Sequence, residues 1–328
     1  MRVVIIYNEP RPGHEAADQD VLVQRDAVAH ALEVRGHDVI DLGCTLDLSS
    51  LRRSLAGARV DCAFNLVESL GGTDRLQPLI PLLLDAMNIP YTGSSARAML
   101  ATSDKVAVKQ RLRAMGLPTP DWLSVGDGKQ VVASGKFIIK ARYEHASVGL
   151  DDAAVVTVKN ASELTTAIRA RSSVTGLKLF AERYIEGREF NIAVISAGYR
   201  QPQVLAPAEI DFSGFPPAKP RIVGYDAKWA EHSFEFNATP RRFVFPMSDD
   251  DLLHKLSSLA RQAWNEFGLA GYARVDFRVD GEGNPLILEI NTNPCLSPDA
   301  GFSAALVESG YAFETAVELI VKDALGAA

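Results

Sequence analysis

The sequence predicts an α/β protein with α+β parts, in which an N-terminal doubly wound parallel-sheet domain precedes two further units. Three observations lead there. Apolar strand-length runs alternate with helical stretches over residues 1–100, as in a parallel sheet covered on both faces. Short strands with one helix fill residues 121–183. Near the C-terminus, GYARVDFRVD and LILEINTNP read as two strands joined by a turn at Gly281-Glu282-Gly283-Asn284. A chain of 328 residues exceeds what one core usually supports, and the expected divisions are 1–100, 101–185 and 186–328.

In the first unit, residues 2–7 read as a buried strand and 20–35 as an amphipathic helix ending at Gly36. A strand at 37–42, a helix at 48–56, a strand at 61–67 and an apolar helix at 75–87 follow. Ligands sit beyond the carboxyl ends of such strands, so the loops 8–19 and 68–73 are candidate substrate walls. A helix over 103–115 is expected, capped by Ser103 and ending at Gly116. Strands are expected at 122–125, 137–141, 155–158 and 179–183, with a helix at 162–171. After a strand at 189–196, Pro202, Pro207, Pro216, Pro217 and Pro220 punctuate a long stretch without periodicity. So long a loop is either a misread pattern or a functional lid, placed here at 208–240. A helix at 249–267, the hairpin, and helices at 304–309 and 313–324 complete the chain.

Composition narrows the function. The 47% hydrophobic and 23% charged content is that of a globular chain. A net charge of −7 argues against general nucleic-acid binding, but not against a nucleotide held by a few lysines. Cys44, Cys62 and Cys295 lack CxxC spacing and the six histidines show no HExxH, so neither a zinc site nor a disulfide framework is expected. The apolar start at 3–7 is too short for a signal segment, and no stretch reaches membrane-spanning length. The expected setting is the cytoplasm, with no membrane partner.

The hairpin carries the strongest chemistry. Alternation puts Arg274 and Asp276 on one face of the first strand, and Glu289 and Asn291 on one face of the second. Paired, they gather one cation and three oxygen donors, a set that suits Mg2+ (or Mn2+) with phosphate oxygens and water. Arg274 beside them suits a developing oxyanion. The competing reading is a salt-bridged surface hairpin. The flanking apolar residues favour burial, and a buried acid cluster without a cation is costly.

No GxxxxGK[ST] and no strand-linked GxGxxG is present, so a nucleotide needs another cradle. Lys140 ends the apolar run Phe137-Ile138-Ile139, where a solvated lysine is hard to explain. Lys105 and Lys228, taken singly, read as surface lysines. The turn 144–149 has glycine and small residues that let backbone N–H groups approach a phosphate, as do those of many hairpin loops. A strand crossing between units at 182–189 can offer its backbone to an adenine edge, with Glu182 and Glu189 as acceptors. Glu189 alone also reads as an exposed strand residue.

Taken in order, YTGSSARAMLATSDK, FIIKARYEHASVG, AERYIEGREFNIAV, YDAKW, GYARVDFRV and LILEINTNP resemble the ATP-grasp superfamily. Within it the likeness is to the D-alanine–D-alanine ligases, from about Tyr91 to the C-terminus and more faintly before. The resemblance implies a three-domain ATP-grasp fold with ATP between the second and third units. Lys105, Lys140 and the turn at Ser147 would meet its phosphates. Glu182 and the backbone at Tyr184 and Ile185 would hold adenine, and Glu189 the ribose. Lys228 would reach the γ-phosphate from a lid, Asp276, Glu289 and Asn291 would bind magnesium, and Arg274 would steady the tetrahedral intermediate. The implied reaction transfers the γ-phosphoryl group to a carboxylate, after which an amine attacks the acyl phosphate. The implied partners are a small carboxylate, a small amine and a second copy of the chain.

Departures from the family pattern cluster on the substrate side. Ala146 stands where the ligases have a serine, Trp229 where a tyrosine follows the lysine, and Ala300 where a further serine lies. Asn293-Pro294-Cys295-Leu296-Ser297 replaces S-P-G-M-T. The stretch from Asn65 to Gly72 replaces a His-Gly-x-x-Gly-Glu-Asp-Gly loop, with Glu68 as its candidate substrate contact. Tyr7-Asn8-Glu9-Pro10 replaces Gly-Gly-x-x-x-Glu, with Glu9 as the candidate. A site that loses buried hydrogen-bond partners for a substrate rejects it strongly. The expectation is therefore a carboxylate–amine ligase acting on amino acids or amino-acid-like substrates other than D-alanine. The alternatives are an authentic D-alanine–D-alanine ligase and a nucleotide-binding protein without turnover. Retention of Arg274 speaks against the last, since ATP binding alone needs no oxyanion stabiliser.

Overall fold

A computed structural model describes residues 1–10, 16–126, 133–144, 146–196 and 201–326. The N-terminal elements are β1 (Arg2–Asn8), α1 (Ala16–Val34), β2 (Asp38–Cys44), α2 (Leu48–Ala58), β3 (Cys62–Asn65) and α3 (Leu79–Met87). The strands pair in parallel in the order β2-β1-β3. β1 is apolar and buried from Val3 to Ile6 because both its faces are covered there. Val3 and Ile5 meet Val28 and Leu32 of α1, while Val4 and Ile6 meet Leu51 and Leu55 of α2 and Ile80 and Leu84 of α3.

The single helix expected from Ser103 is two, α4 (Ala96–Ser103) and α5 (Lys105–Ala114). Asp104, not Ser103, caps the second, accepting from the Val106 and Ala107 amides. Its carboxylate also pairs with Arg142 at 2.7 Å, which a serine hydroxyl could not do. The Ser103 hydroxyl instead donates back to the Leu100 carbonyl at 3.2 Å.

The second sheet comprises β4 (Trp122–Ser124), β5 (Gly135–Ala141), β6 (Val155–Val158) and β7 (Leu179–Arg183), with α6 (Ala161–Thr175) on one face. Its antiparallel order is β4-β7-β5-β6. Phe137 and Ile139 pack on Leu164 and Ile168 of α6, so alternation turns Ile138 and Lys140 to the other face.

The third sheet contains β8 (Arg188–Ile195), β9 (Gln203–Val204), β10 (Ala208–Ile210), β11 (Arg241–Arg242), β12 (Tyr272–Val279) and β13 (Pro285–Asn291). The order is β11-β10-β8-β12-β13, with β9 also on β8. Between β10 and β11 lie α7 (Tyr225–Trp229) and α8 (Phe234–Asn237); α9 (Asp250–Phe267), α10 (Gly301–Glu308) and α11 (Phe313–Ala324) complete the set. The stretch expected to lack regular structure is thus not a plain loop. Its strands and helices are too short for any periodicity to register. Ala208–Ile210 is a buried strand paired to β8, so no lid begins at 208.

One face of this sheet builds the core. Phe190, Ile192, Val275 and Phe277 pack against Ala260, Ala263, Trp264 and Phe267 of α9. The register between β12 and β13 then matters. Asp276 opposes Glu289 but Phe277 opposes Ile287, leaving Leu288 as a bulge residue. Without the bulge, Ile287 and Glu289 would share a face; with it, Ile287 enters the core while Glu289 faces the opposite side. No helix among the described residues is long and apolar enough to cross a membrane.

Gly187, between β7 and β8, has φ +144°, and a Cβ there would lie 2.0 Å from the Val279 carbonyl oxygen. Gly187→Ala is expected to destabilise the chain by at least about 1–3 kcal/mol, read as a lowered midpoint in thermal denaturation. An unchanged midpoint would show that the β7–β8 crossing tolerates a side chain.

Candidate active site

A cavity of about 720 Å³ is lined by the second and third sheets and reaches Asn8 and Glu68 at the carboxyl ends of β1 and β3. Every candidate residue named from the sequence lines it except Glu9. β1 runs one residue further than expected, to Asn8. Glu9 is consequently exposed and lies against Gly43 of β2, where a Cβ would come within 2.5 Å of its Cγ. Of the loop 8–19, residues 11–15 lie outside the described residues, as does His145.

The metal-ligand candidates stand on the hairpin. Arg274 opposes Asn291 and Asp276 opposes Glu289. Arg274 grips Asp276 with two hydrogen bonds, 2.7 and 2.8 Å. The Asn191 and Asn291 amides donate to the same carboxylate at 2.9 and 3.0 Å. Burial opposes the charge on Arg274, but Asp276 raises its pKa further above the ordinary value. Glu289 stands 3.6 Å from Lys105. No three His, Cys, Asp or Glu side chains converge among the described residues. The set here is two carboxylates and an amide, whose oxygens fit a hard octahedral cation that keeps phosphate and water ligands.

The second sheet and α5 supply the lysines. Lys140 pairs with Glu182 at 2.6 Å, and Lys109 reaches the other Glu182 oxygen at 2.5 Å. Burial alone would push Glu182 up, but Lys109 and Lys140 hold its carboxyl below the usual range. Glu189 pairs with Arg278 at 2.8 Å. The Tyr184 amide is taken by the Lys136 carbonyl at 3.1 Å.

A loop and the segment after β10 close over these groups. Ala146 and Ser147 both have positive φ, 53° and 59°, a strained pair for side chains with a Cβ. The Ser147 hydroxyl donates to the Val223 carbonyl at 2.8 Å, and the Trp229 indole donates to the Ala146 carbonyl at 3.1 Å. Glu144 accepts from the Thr73 hydroxyl at 3.0 Å and the Asp74 amide at 3.3 Å. The loop therefore bridges the N-terminal unit and α7, which carries Lys228. Burial, then the charge of Arg274, lowers the Lys228 pKa.

The end near β1 and β3 is acidic. Gln24 donates to Glu68 at 2.9 Å, and Ser297 and Cys295 donate to Asp20 at 2.8 and 3.0 Å. Burial pushes the Glu68 carboxyl up to about 7, although the Gln24 hydrogen bond lowers it. Ala300 lies at the N-cap of α10 without a side-chain cap. Sequence reasoning passed over Asp20, Asn191 and Arg241, which line the cavity, and Lys109, which lies behind it. Asn191 was findable, since it shares a strand face with Glu189. Arg241 sits on a two-residue strand with no pattern to read.

The sequence model of the D-Ala D-Ala ligase C-terminus family matches residues 112–322. A D-alanine–D-alanine ligase of Synechococcus sp. (strain JA-3-3Ab) is 30% identical over 336 residues, covering 99% of this chain and 94% of its own length. One from Stutzerimonas stutzeri (strain A1501) is 30% identical over 99% of this chain and 95% of its own. Among solved structures, D-alanine–D-alanine ligase from Bacillus anthracis complexed with ATP superposes with a TM-score of 0.74 at 18% identity, covering 99% of this chain and 97% of that one. The shared fold is the mixed α/β arrangement with an N-terminal parallel sheet.

Glu68 gives a pH signature. Its carboxyl, ordinarily near 4.5, is raised to about 7 in the fold, so the folded state holds a proton that the unfolded chain has released. Stability from this group is present at low pH and is lost as pH rises through 7. Glu68→Gln is therefore expected to gain stability relative to the native chain between about pH 5 and pH 8. A thermal-melting difference that is the same at both pH values would contradict this environment for Glu68.

Proposed function

We propose that this chain, a member of the D-alanine–D-alanine ligase family, is an ATP-dependent ligase that uses Mg2+ and joins an acid to an amine through an acyl phosphate, the acid being an amino acid or amino-acid-like compound other than D-alanine. The observation that carries the substrate reading is the join between α7 and the loop. The Trp229 indole meets a backbone carbonyl at Ala146, so neither position offers the substrate a hydroxyl. Ala300 offers none at the start of α10 either. The relatives' names favour the second reading, D-alanine itself.

In this proposal the chain divides near residues 100 and 185, and the nucleotide lies between the second and third sheets. An adenine edge meets the Tyr184 carbonyl and the Ile185 amide, with Glu182 beside them. Glu189, held by Arg278, takes the ribose. Lys105, Lys140 and the turn at Ser147 receive the phosphates, and Lys228 approaches the terminal one from α7. A group held so deeply gains its charge most readily beside an anion. Asp276, Glu289 and Asn291 would hold Mg2+, which neutralises phosphate oxygens as charge spreads over them. Arg274 stabilises the oxyanion formed when the amine attacks. Glu68 and Asp20 face the opposite charge, an ammonium, at the acidic end.

Two measurements check this. Glu289→Gln removes one ligand charge at constant shape. Turnover at saturating Mg2+ is expected to fall at least about 100-fold with melting unchanged, on the scale of several kcal/mol that metal charge stabilisation contributes; undiminished turnover would remove Glu289 from the metal site. Phosphate release with ATP and Mg2+ should be stimulated more by other acids, paired with amines, than by D-alanine. Efficient D-Ala–D-Ala synthesis, with kcat/KM of roughly 10⁴ M⁻¹s⁻¹ or more, would decide for the second reading. Stimulation by no acid and amine at all would decide against a ligase.

A further inference from the structure

Lys109 does not line the cavity, yet it is fully buried and its ammonium stands 2.5 Å from Glu182 Oε2. Lys140 holds the other oxygen, Oε1, at 2.6 Å, and both Lys140 and Glu182 do line the cavity. The carboxylate thus has two cations, one on the wall and one behind it. Lys109 is fixed in place by the Thr119 hydroxyl at 3.0 Å, which in turn donates to the Ile287 carbonyl of β13 at 2.8 Å.

A buried carboxylate needs one cation to offset its loss of hydration. Glu182 has one more than that, and the second is the one a ligand can reach. We propose that Lys109 is a positioning residue: it retains Glu182 in an ion pair when nucleotide phosphates draw Lys140 away, so that Lys140 exchanges one anion for another. This rests on the reading that Lys140 contacts the phosphates. In the absence of Lys109, any movement of Lys140 would strand a buried charge, and Glu182 would hold the lysine back. Ligands with phosphates would then bind less well. A nucleoside, which asks nothing of Lys140 and so leaves it paired with Glu182, would bind as before.

The test is calorimetric binding of ATP and of adenosine to the full chain. Lys109→Met is expected to weaken ATP about tenfold or more while adenosine changes less than about twofold, and Lys109→Met with Lys140→Met is expected to be no weaker for ATP than Lys140→Met alone, since coupled groups are non-additive. Equal losses for ATP and adenosine, or additive losses in the double variant, overturn the proposal. Normal ATP affinity in Lys140→Met overturns instead the reading it rests on. Should Lys109→Met not fold, the Glu182→Gln background keeps the question open to measurement. There Lys140 has no carboxylate to leave, so adding Lys109→Met should not change ATP affinity, and a further tenfold loss contradicts the proposal.

Discussion

The cross-strand pairing of Asp276 with Glu289, and of Arg274 with Asn291 beside it, is the constraint on which the rest of the site depends. Each strand must present apolar residues to α9 and polar ones to the cavity, and the bulge at Leu288 lets β13 do both. Val275, Phe277 and Ile287 lock the register from below through the core. A slip by one residue would bury the carboxylates and expose the core. The ligand face is therefore specified by hydrophobic packing on the opposite side of the same sheet.

Charge is then arranged around that face. Asp276 accepts from Arg274, Asn191 and Asn291 together, so its position is set before any ligand arrives. Lys105 stands by Glu289, and Lys140 by Glu182. Cations of α5 and β5 thus meet acids of β13 and β7, while Asp20 and Glu68 form a separate acidic end toward β1 and β3. The loop at 144–150 ties these regions together through Glu144 on one side and through Ala146 and Ser147 on the other. Preorganised polar groups of this kind act strongly where water is excluded.

Much of this was legible in the sequence, for identifiable reasons. β6, β7 and α11 have the expected bounds because their apolar spacing is regular and their flanks carry turn residues. Arg274, Asp276, Glu289 and Asn291 were placed on one patch by strand alternation alone. Lys105 and Lys228 were not: each looks like a surface lysine, and only the resemblance drew them in. Lys109 was missed for the same reason, since a lysine one helical turn after Lys105 reads as solvated until the carboxylate it faces is known. Asp104 outcompeted Ser103 as a cap because Arg142, distant in sequence, pairs with it. Glu9 failed by one residue of strand length. From β9 to β11 the elements are two to five residues long, and tertiary pairing rather than local pattern decides them.

The chemical claim at the centre is that a carboxylate oxygen attacks ATP before the amine enters. Its most direct measurement is the fate of that oxygen. With a substrate acid labelled by 18O in its carboxylate, the reaction is expected to release inorganic phosphate carrying one label, because the acyl phosphate breaks at the carbon–oxygen bond when the amine attacks. Phosphate free of label, released in step with amide formation, would contradict the account.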